Sequence, residues 1–349
     1  MLKKIRIIYE TSRRTNANTS SMSEQKDPLI LENEFYTKEF FFSYSSINML
    51  LYSPSLFYRS YILNQKEEKL DSYLVEGKVI HALLLDNGNF EKNFIVSPTK
   101  LPSENTQKVI NQVYYKNKIQ AIMPTKLAQC QDNIIAVLQE IDLHQSLKTD
   151  EQRIAKMLSE ETESYWQFLH LKENKTLLDN ETLERCKESV SIIRNSPGIN
   201  QLLDGPGMTV ENELFIKIKN DTYKFGLHGQ VDNICFEHTK KIVYINDLKT
   251  SSKTLDEFQE SLTYYRYWLQ AAIYYYLVTK QYNLDPSWKV IFTFIVIDKY
   301  QQVYPFEVSS ESMTKWLAEL SNIIKQVNFH YITKNYSLPY KFIDTKIML

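Results

Sequence analysis

Two aspartates and a lysine fall where strands are predicted, and their types and spacing suit metal-dependent chemistry. Asp232 closes the short segment that begins at Gly229, while Asp247 and Lys249 end the apolar segment 243–250. Alternate residues of a strand point to one side, so Asp247 and Lys249 share a face. The two carboxylates could hold a hard cation such as Mg²⁺, and Lys249 could orient or deprotonate a bound water and stabilise charge on a phosphate. On spacing alone a structural interpretation is favoured, a strand-ending aspartate and an exposed ion pair, because short matches of this kind are common.

The composition excludes some classes of function but does not identify one. At 349 residues the chain is long enough for one large domain or two smaller ones. Its net charge of -1 gives no global attraction to nucleic acid, so such a partner would need a local basic groove. Only seven glycines are present and no glycine-rich phosphate loop, which argues against a nucleotide-hydrolysing motor. The 24 tyrosines, many beside lysine or arginine, suit stacking on bases or sugars.

Cysteine usage and hydropathy indicate a reducing compartment. The three cysteines, Cys130, Cys186 and Cys235, are far apart and form no CxxC pair, so neither an iron–sulfur cluster nor a disulfide framework is expected. No secretory signal and no apolar run of about 18 residues is evident, so we expect a cytoplasmic protein with no membrane span.

The first half of the chain is predicted to be helical after a flexible tail at residues 1–35. Serines capping a helix near 43–51 come first, and a stronger helix at 70–86 carries His81 on an apolar stripe. A lone histidine in such a place is usually a core residue. Further helices are expected near 104–119, 125–145, 149–172 and 179–196, and a turn at 195–198 follows them. This block, about 100–205, carries no chemical signature and is interpreted as a helical insertion that shapes a channel.

The second half alternates strands and helices. Strands are predicted near 208–219, 222–236 and 240–250, and their short connections imply an antiparallel meander with Asp232 and Asp247 on neighbouring strands. A long helix at 255–281 follows, on which Tyr267, Gln270 and Tyr274 share a face. Strands at 289–297 and 303–308 and a helix at 309–330 complete the chain.

Taken together, four short patterns resemble the PD-(D/E)XK nuclease superfamily, and most closely its RecB-like and RecE-like (exonuclease VIII) branch, which also occurs in phages. The patterns are Glu76-Gly77-x-x-x-His81, Gly229-x-x-Asp232, Asp247-Leu248-Lys249-Thr250 and Tyr267-x-x-Gln270-x-x-x-Tyr274. The match covers about residues 40–86 and 208–300. The resemblance implies an α+β fold with a restriction-endonuclease-like core, a mixed sheet flanked by helices, spanning 36–349 with the helical insertion.

The resemblance also implies roles for individual residues. His81, Asp232, Asp247 and the main-chain carbonyl of Leu248 would ligate Mg²⁺ or Mn²⁺, with Lys249 as the water-orienting or general-base lysine. Gln270 and Tyr274, with Tyr267, would support the site or touch the DNA backbone. An imidazole with carboxylates makes a mixed nitrogen and oxygen site, which Mn²⁺ tolerates better than Mg²⁺.

Other charged residues are secondary candidates. Glu211 and Glu213 on the first strand are interpreted as supporting or structural carboxylates. Lys253, Arg266 and Lys299 are candidate phosphate contacts, each as readily a solvated surface charge.

The expected function is a metal-dependent DNA exonuclease that acts on linear duplex ends in recombination, repair or phage replication. The alternatives are a catalytically silent DNA-binding or assembly protein and a structure-specific endonuclease. The resemblance further suggests a homo-oligomer and a single-strand annealing or recombination partner. Asp247 stands where many relatives have glutamate, and the cysteine cluster of the AddB-type and CRISPR-adaptation relatives is missing, which disfavours those subfamilies.

Overall fold

A mixed six-stranded sheet forms the centre of the protein. The computed structural model describes residues 27–65 and 72–344. The sheet strands and two further short strands are β1 Phe40–Phe42, β2 Phe94–Val96, β3 Thr176–Leu178, β4 Thr209–Ile218, β5 Phe225–Glu237, β6 Ile242–Thr250, β7 Lys289–Ile297 and β8 Val303–Glu307. In the sheet the order is β1–β5–β6–β7–β8, with β4 paired to β5. The predicted meander of β4, β5 and β6 is confirmed, since both pairings are antiparallel.

The long strand β5 has two neighbours along one edge. Its first residues, 225–227, pair in parallel with β1, and its last residues, 233–237, pair with β6. Residues 228–232 lie between these two ladders. Along the opposite edge, β4 pairs with β5 over residues 227–236. The site therefore forms where one ladder has ended and backbone groups need other partners.

Helices cover both faces of the sheet. The α-helices are α1 Pro28–Thr37, α2 Tyr44–Tyr52, α3 Pro54–Phe57, α4 Ser72–Leu85, α5 Asn87–Asn93, α6 Glu104–Ile119, α7 Gln131–Glu140, α8 Asp150–Met157, α9 Glu160–Leu171, α10 Asn180–Asn195, α11 Pro197–Leu203, α12 Phe258–Tyr264, α13 Tyr267–Gln281, α14 Ser310–Thr333 and α15 Tyr340–Asp344. On one face, Ile245 and Phe294 pack with residues of α13 and α14. On the other, Leu248 and Ile295 pack with α4, α10 and α11. This three-layer arrangement confirms the predicted α+β fold class.

The predicted insertion divides between two apolar clusters. Helices α6, α7 and α9 pack around the fully buried Trp166 in a cluster of their own. Helix α10, in contrast, returns to the sheet layer, where Cys186 and Ile193 pack against α4. Between these parts, β2 and β3 pair in parallel. The block is thus anchored to the helix that carries His81.

Several predicted helix boundaries were wrong, each for a local reason. The helix expected at 149–172 is two helices, because Ser159 caps a new one with a capping box. The helix expected at 125–145 shortens to α7 after a single 3₁₀ turn at 127–129. The turn expected at 195–198 instead begins α11, because Pro197 fits the first turn of a helix.

The long helix expected at 255–281 is broken in the middle. Arg266 has a φ of 55°, in the left-handed region, and separates α12 from α13. The break gives α13 its own start at Tyr267, next to the site.

The ends of the chain add two observations. Most of the predicted tail lies outside the described residues, but Asp27 caps α1 and Phe35 is buried against the core. Among the described helices, none is both long and apolar enough to cross a membrane.

Gly229 lets α13 approach β5 closely, and substitution should show it. A Cβ atom added there would lie 2.8 Å from Cε1 of Tyr274 and 3.1 Å from Cδ1 of Leu277. We expect Gly229→Ala to lower the free energy of unfolding by about 1–3 kcal/mol through overpacking, as measured by denaturant unfolding.

Gly198→Ala is the matched control for that measurement. Apart from its chain neighbours and the backbone of its own helix, no atom of the described residues lies within 4 Å of a Cβ added at Gly198, which lies within α11. Alanine is the better helix former, so Gly198→Ala should leave stability unchanged or raise it by up to about 1 kcal/mol. Equal effects of the two substitutions would contradict the close approach at Gly229.

Candidate active site

Asp232 and Asp247 face each other one position beyond the last pair of the β5–β6 ladder. That ladder ends at Asn233 and Asn246. In place of the next ladder bond, Asp232 Oδ2 accepts a hydrogen bond of 2.8 Å from the backbone N–H of Leu248. Asp232 is 7% exposed and Asp247 is 0% exposed. Two carboxylates are therefore buried side by side at the point where the strands stop pairing.

Lys249 compensates one of these charges. Its Nζ lies 2.5 Å from Asp247 Oδ2 and 4.9 Å from the centre of the Tyr267 ring. Burial lowers the pKa of Lys249, but the carboxylates of Asp247 and Asp232 outweigh burial and raise it above its ordinary value. Lys249 is accordingly an ammonium. The exposed ion pair that spacing alone favoured is wrong, because the Lys249 side chain is only 14% exposed.

His81 reaches the carboxylates from α4. Its Nε2 is 3.2 Å from the carbonyl oxygen of Leu248, and its Nδ1 is 3.8 Å from Asp232 Oδ2. The approach depends on Gly77, one turn earlier, where an added Cβ would lie 3.0 Å from Oγ1 of Thr250. The histidine thus belongs to the site, although its position on an apolar stripe is more often that of a core residue.

Glu213 joins the same group from β4. Its neighbours Asn212 and Leu214 pair with Asn233 and Val231 of β5, and its Oε1 lies 3.4 Å from Nδ1 of His81. Gln230 donates a hydrogen bond of 2.5 Å to Glu213 Oε2. A φ of 50° is strained for a glutamate, so the surrounding contacts hold the backbone there. Sequence reasoning ranked Glu213 as supporting or structural, and Gln230 was not singled out as a site residue although it lies within the Gly229-x-x-Asp232 pattern.

The charges of this group change the pKa values of its members. Burial lowers the pKa of His81, but Asp232 and Glu213 raise it to about 9. Burial and the neighbouring Asp247 raise the pKa of Asp232 to about 6, against the opposing effect of His81. The acidic groups are thus held close enough to influence one another's protonation.

The donor set fits a divalent cation. Ligand atoms of His81, Glu213 and Asp232 all lie within 4.8 Å of one another. Oδ1 of Asp247 is buried and has no hydrogen-bond partner among the described residues. A buried carboxylate oxygen without a partner is costly unless a cation occupies the remaining position. Carboxylates, a main-chain carbonyl and one imidazole are ligands that Mg²⁺ and Mn²⁺ accept.

Two cavities adjoin each other beside the group formed by His81, Glu213 and Asp232. The first, which we call the amide-lined cavity, has a volume of about 560 Å³ and adjoins His81. Its polar lining comprises Lys78, His81, Glu213 and Gln230 from α4 and the sheet, and Asp86, Asn89, Asn93, Asn174 and Thr176 from the segments 86–93 and 174–176. The second, the tyrosine-lined cavity, has a volume of about 410 Å³ and is lined by Tyr44, Lys249, Tyr267, Gln270 and Tyr274 among others. Gln230 lines both cavities, so they adjoin at the site.

The predicted face of α13 lies along the second cavity. Tyr267, Gln270 and Tyr274 all line it, and Gln270 Nε2 donates a 3.0 Å hydrogen bond to the Tyr274 hydroxyl. Burial raises the pKa of Tyr274 well above its ordinary value, so the hydroxyl stays protonated. Gln270 is 9% exposed, which agrees with a supporting position.

The other charged candidates lie further out or in other contacts. Lys253 lines a small cavity with Lys249 and pairs with Glu260 at 3.2 Å. Arg266 donates to Asn48 Oδ1 at 2.6 Å and borders a different cavity. Lys299 is exposed and lies over the Tyr300 ring.

Two other glutamates named in the sequence analysis have contacts outside the group of His81, Glu213 and Asp232. Glu211 hydrogen-bonds to Tyr282. Glu76, from the His81 pattern, forms an ion pair with Arg185 of α10 at 2.6 Å.

The sheet is mixed, has helices on both faces, and carries acidic residues beside a lysine at the end of one ladder. This combination is typical of one class of metal-dependent hydrolases. The family model of the PD-(D/E)XK nuclease superfamily matches residues 41–335. The chain belongs to this superfamily, and the restriction-endonuclease-like core expected from the sequence is confirmed. Members of the superfamily are nucleases that use divalent metals.

Comparison with individual proteins adds little. No curated protein matches the chain significantly. A candidate exonuclease from Eubacterium rectale has a crystal structure with a TM-score of 0.47 at 8% identity, covering 91% of each chain. The structure of SSO0001 gives a TM-score of 0.23 at 11% identity, covering 78% of this chain and 100% of that one. Both likenesses are too weak to carry an argument.

Metal binding should displace a proton from His81. The pKa of His81 is about 9, so the ring is protonated at neutral pH, whereas a metal ligand must be neutral. Asp232, with a pKa of about 6, is already ionised above about pH 7, so from there we expect the apparent affinity for Mn²⁺ to rise about tenfold for each pH unit up to roughly pH 9, and then to level off. Titration calorimetry in buffers of different ionisation enthalpy measures both the affinity and the proton release. His81→Asn should bind more weakly and release no proton in this range; an unchanged proton release would contradict the assignment.

Replacing Glu213 by glycine should separate stability from metal binding. Glycine adopts the left-handed region without strain, so Glu213→Gly should raise the unfolding temperature or leave it unchanged. The same change removes one carboxylate from the ligand group, so the affinity for Mn²⁺ should fall by about tenfold or more. A parallel loss of stability and affinity would instead indicate a purely structural role.

Proposed function

We propose that this protein is a metal-dependent DNA exonuclease that hydrolyses phosphodiester bonds at the ends of linear duplexes. Membership of the nuclease superfamily supports hydrolysis of nucleic acid. The observation that carries the proposal is the convergence of Asp232, Asp247, Lys249 and His81 where the β5–β6 ladder ends. Preference for ends rests on the resemblance of the four sequence patterns to the RecB-like and RecE-like branch.

Each residue has a role that follows from its surroundings. Asp232 and Asp247, with the Leu248 carbonyl and His81, would hold Mg²⁺ or Mn²⁺. When bound, such a cation lowers the pKa of a water and stabilises charge on the phosphate. The Leu248 N–H fixes Asp232 through the 2.8 Å hydrogen bond, so this carboxylate is positioned before any ligand arrives.

Lys249 acts beside the position proposed for the cation. As an ammonium it can donate hydrogen bonds to a non-bridging phosphate oxygen and orient the attacking water. The Asp247 carboxylate, at 2.5 Å, and the Tyr267 ring fix its direction. Gln270 and Tyr274 border the same cavity and would support the backbone of the bound strand.

The biological setting proposed for this activity is recombination, repair or phage DNA replication in a reducing cytoplasm. The three cysteines are buried and unpaired, in agreement with such a compartment. A homo-oligomer and a single-strand annealing partner are the associations we expect from the resemblance.

End-labelled DNA provides the test of activity. With Mg²⁺ or Mn²⁺, purified protein should degrade linear duplex and spare a closed circle of the same sequence. Cleavage of both at similar rates would favour a structure-specific endonuclease, and cleavage of neither would favour a silent DNA-binding protein.

Substitution at the two central residues should remove turnover. Asp247→Asn and Lys249→Ala should each lower the rate on linear duplex by about 10³-fold or more, because the first removes a carboxylate that would hold the cation and the second removes a donor to the phosphate. DNA binding should be largely retained, as measured by fluorescence anisotropy. Lys249→Ala also leaves Asp247 buried without its partner and should lose about 3–5 kcal/mol of stability without metal. Thermal unfolding of each variant therefore serves as the control, and full activity of either variant would contradict the mechanism.

A further inference from the structure

The amide-lined cavity borders the site but is not needed to hold a metal. Its near wall contains His81 and Glu213, which belong to the ligand group, together with Gln230. Its far wall comes from α5 and from the segment that leads into β3 of the insertion. The two cavities share Gln230, so nucleotides that adjoin a phosphate held at the site can extend into them.

The chemistry of the lining differs from that of a phosphate groove. Among the described residues of the lining, Lys78 is the one lysine or arginine, and Asp86 and Glu213 oppose its charge. The far wall instead offers side-chain amides and a hydroxyl. Neutral amides carry both donors and acceptors, which matches the edges of nucleobases better than it matches phosphates.

Two of these amides are available to a ligand. Asn93, at the end of α5, and Asn174 are exposed, and neither side chain makes a hydrogen bond within the described residues. Asn174 has a φ of 64°, a left-handed conformation that asparagine tolerates. The volume of about 560 Å³ lies in the range of about 300–1,000 Å³ that is typical of small-molecule pockets.

We propose that the amide-lined cavity binds an unpaired nucleobase next to the scissile phosphate, with Asn93 and Asn174 contacting the base edge. This inference rests on the proposed nuclease function and names its substrate more closely: a DNA end whose terminal bases are unpaired. The base edge is fully accessible to side chains when the base is unpaired and unstacked. Helix α5 and the insertion thereby supply one wall of the substrate site together.

Abasic DNA tests the contact directly. The probes are duplexes with short single-stranded tails, at either the 5′ or the 3′ ends, whose tail residues carry bases or are abasic. The full chain carries Asp247→Asn so that the DNA stays intact, and binding is followed by fluorescence anisotropy. With the parent, removing the bases should weaken binding to one of the two tail polarities by about tenfold, the effect of a good amide–base pair.

Substituting the amides should remove this dependence. In Asn93→Ala combined with Asn174→Gly, which keeps the left-handed backbone, the abasic and normal tails should bind within about twofold of each other. The single variants Asn93→Ala and Asn174→Gly should each show part of the effect and guard against misfolding of the double variant. Asn322→Ala, an exposed asparagine on α14, is the matched control and should keep the full dependence.

The outcomes separate the two proposals. Equal sensitivity to base removal in the parent and in the double variant would overturn the base contact. Failure of the unsubstituted protein to cleave any DNA with Mg²⁺ or Mn²⁺ would instead overturn the nuclease function, and the anisotropy measurement would still decide whether the cavity contacts a base.

Discussion

The burial of Asp247 is the constraint on which the site depends. Its carboxylate is 0% exposed, and within the described part of the chain it meets one ammonium, that of Lys249, at 2.5 Å. Removing a carboxylate from water is costly, and one ion pair repays the cost only when the remaining oxygens also find partners. The unpartnered Oδ1 of Asp247 and the nearby Asp232 leave the group short of positive charge. The fold thus maintains an arrangement that a divalent cation completes.

The rest of the structure keeps this group in place. The end of the β5–β6 ladder frees the Leu248 N–H to fix Asp232, and Gly229 allows α13 to lie against β5. On the face of the sheet opposite α13, helix α10 of the insertion packs against α4. Arg185 pairs with Glu76, and Arg194 donates to the Leu84 carbonyl at 3.0 Å. A block without chemical signature in the sequence is therefore coupled to the position of His81.

Sequence patterns predicted the sheet well because their signals are local. Alternating apolar residues and short turns gave β4, β5 and β6, and the short connection between the last two implied that Asp232 and Asp247 are neighbours. Glu213 was interpreted as a supporting or structural carboxylate, and strand alternation could not report its positive φ, which here accompanies the contact of its side chain with His81. The break at Arg266 was missed for the same reason. The role proposed for Asn174 depends on its lining the same cavity as His81, which is distant in the chain, and no local pattern reports this.

A crystal structure of the protein soaked with Mn²⁺, with anomalous scattering recorded for the metal, tests the central claim most directly. The account predicts an anomalous peak in contact with both Asp232 and Asp247, beside the Leu248 carbonyl and His81. A peak that contacts only His81 and Glu213, or no peak at these carboxylates at saturating Mn²⁺, would contradict it.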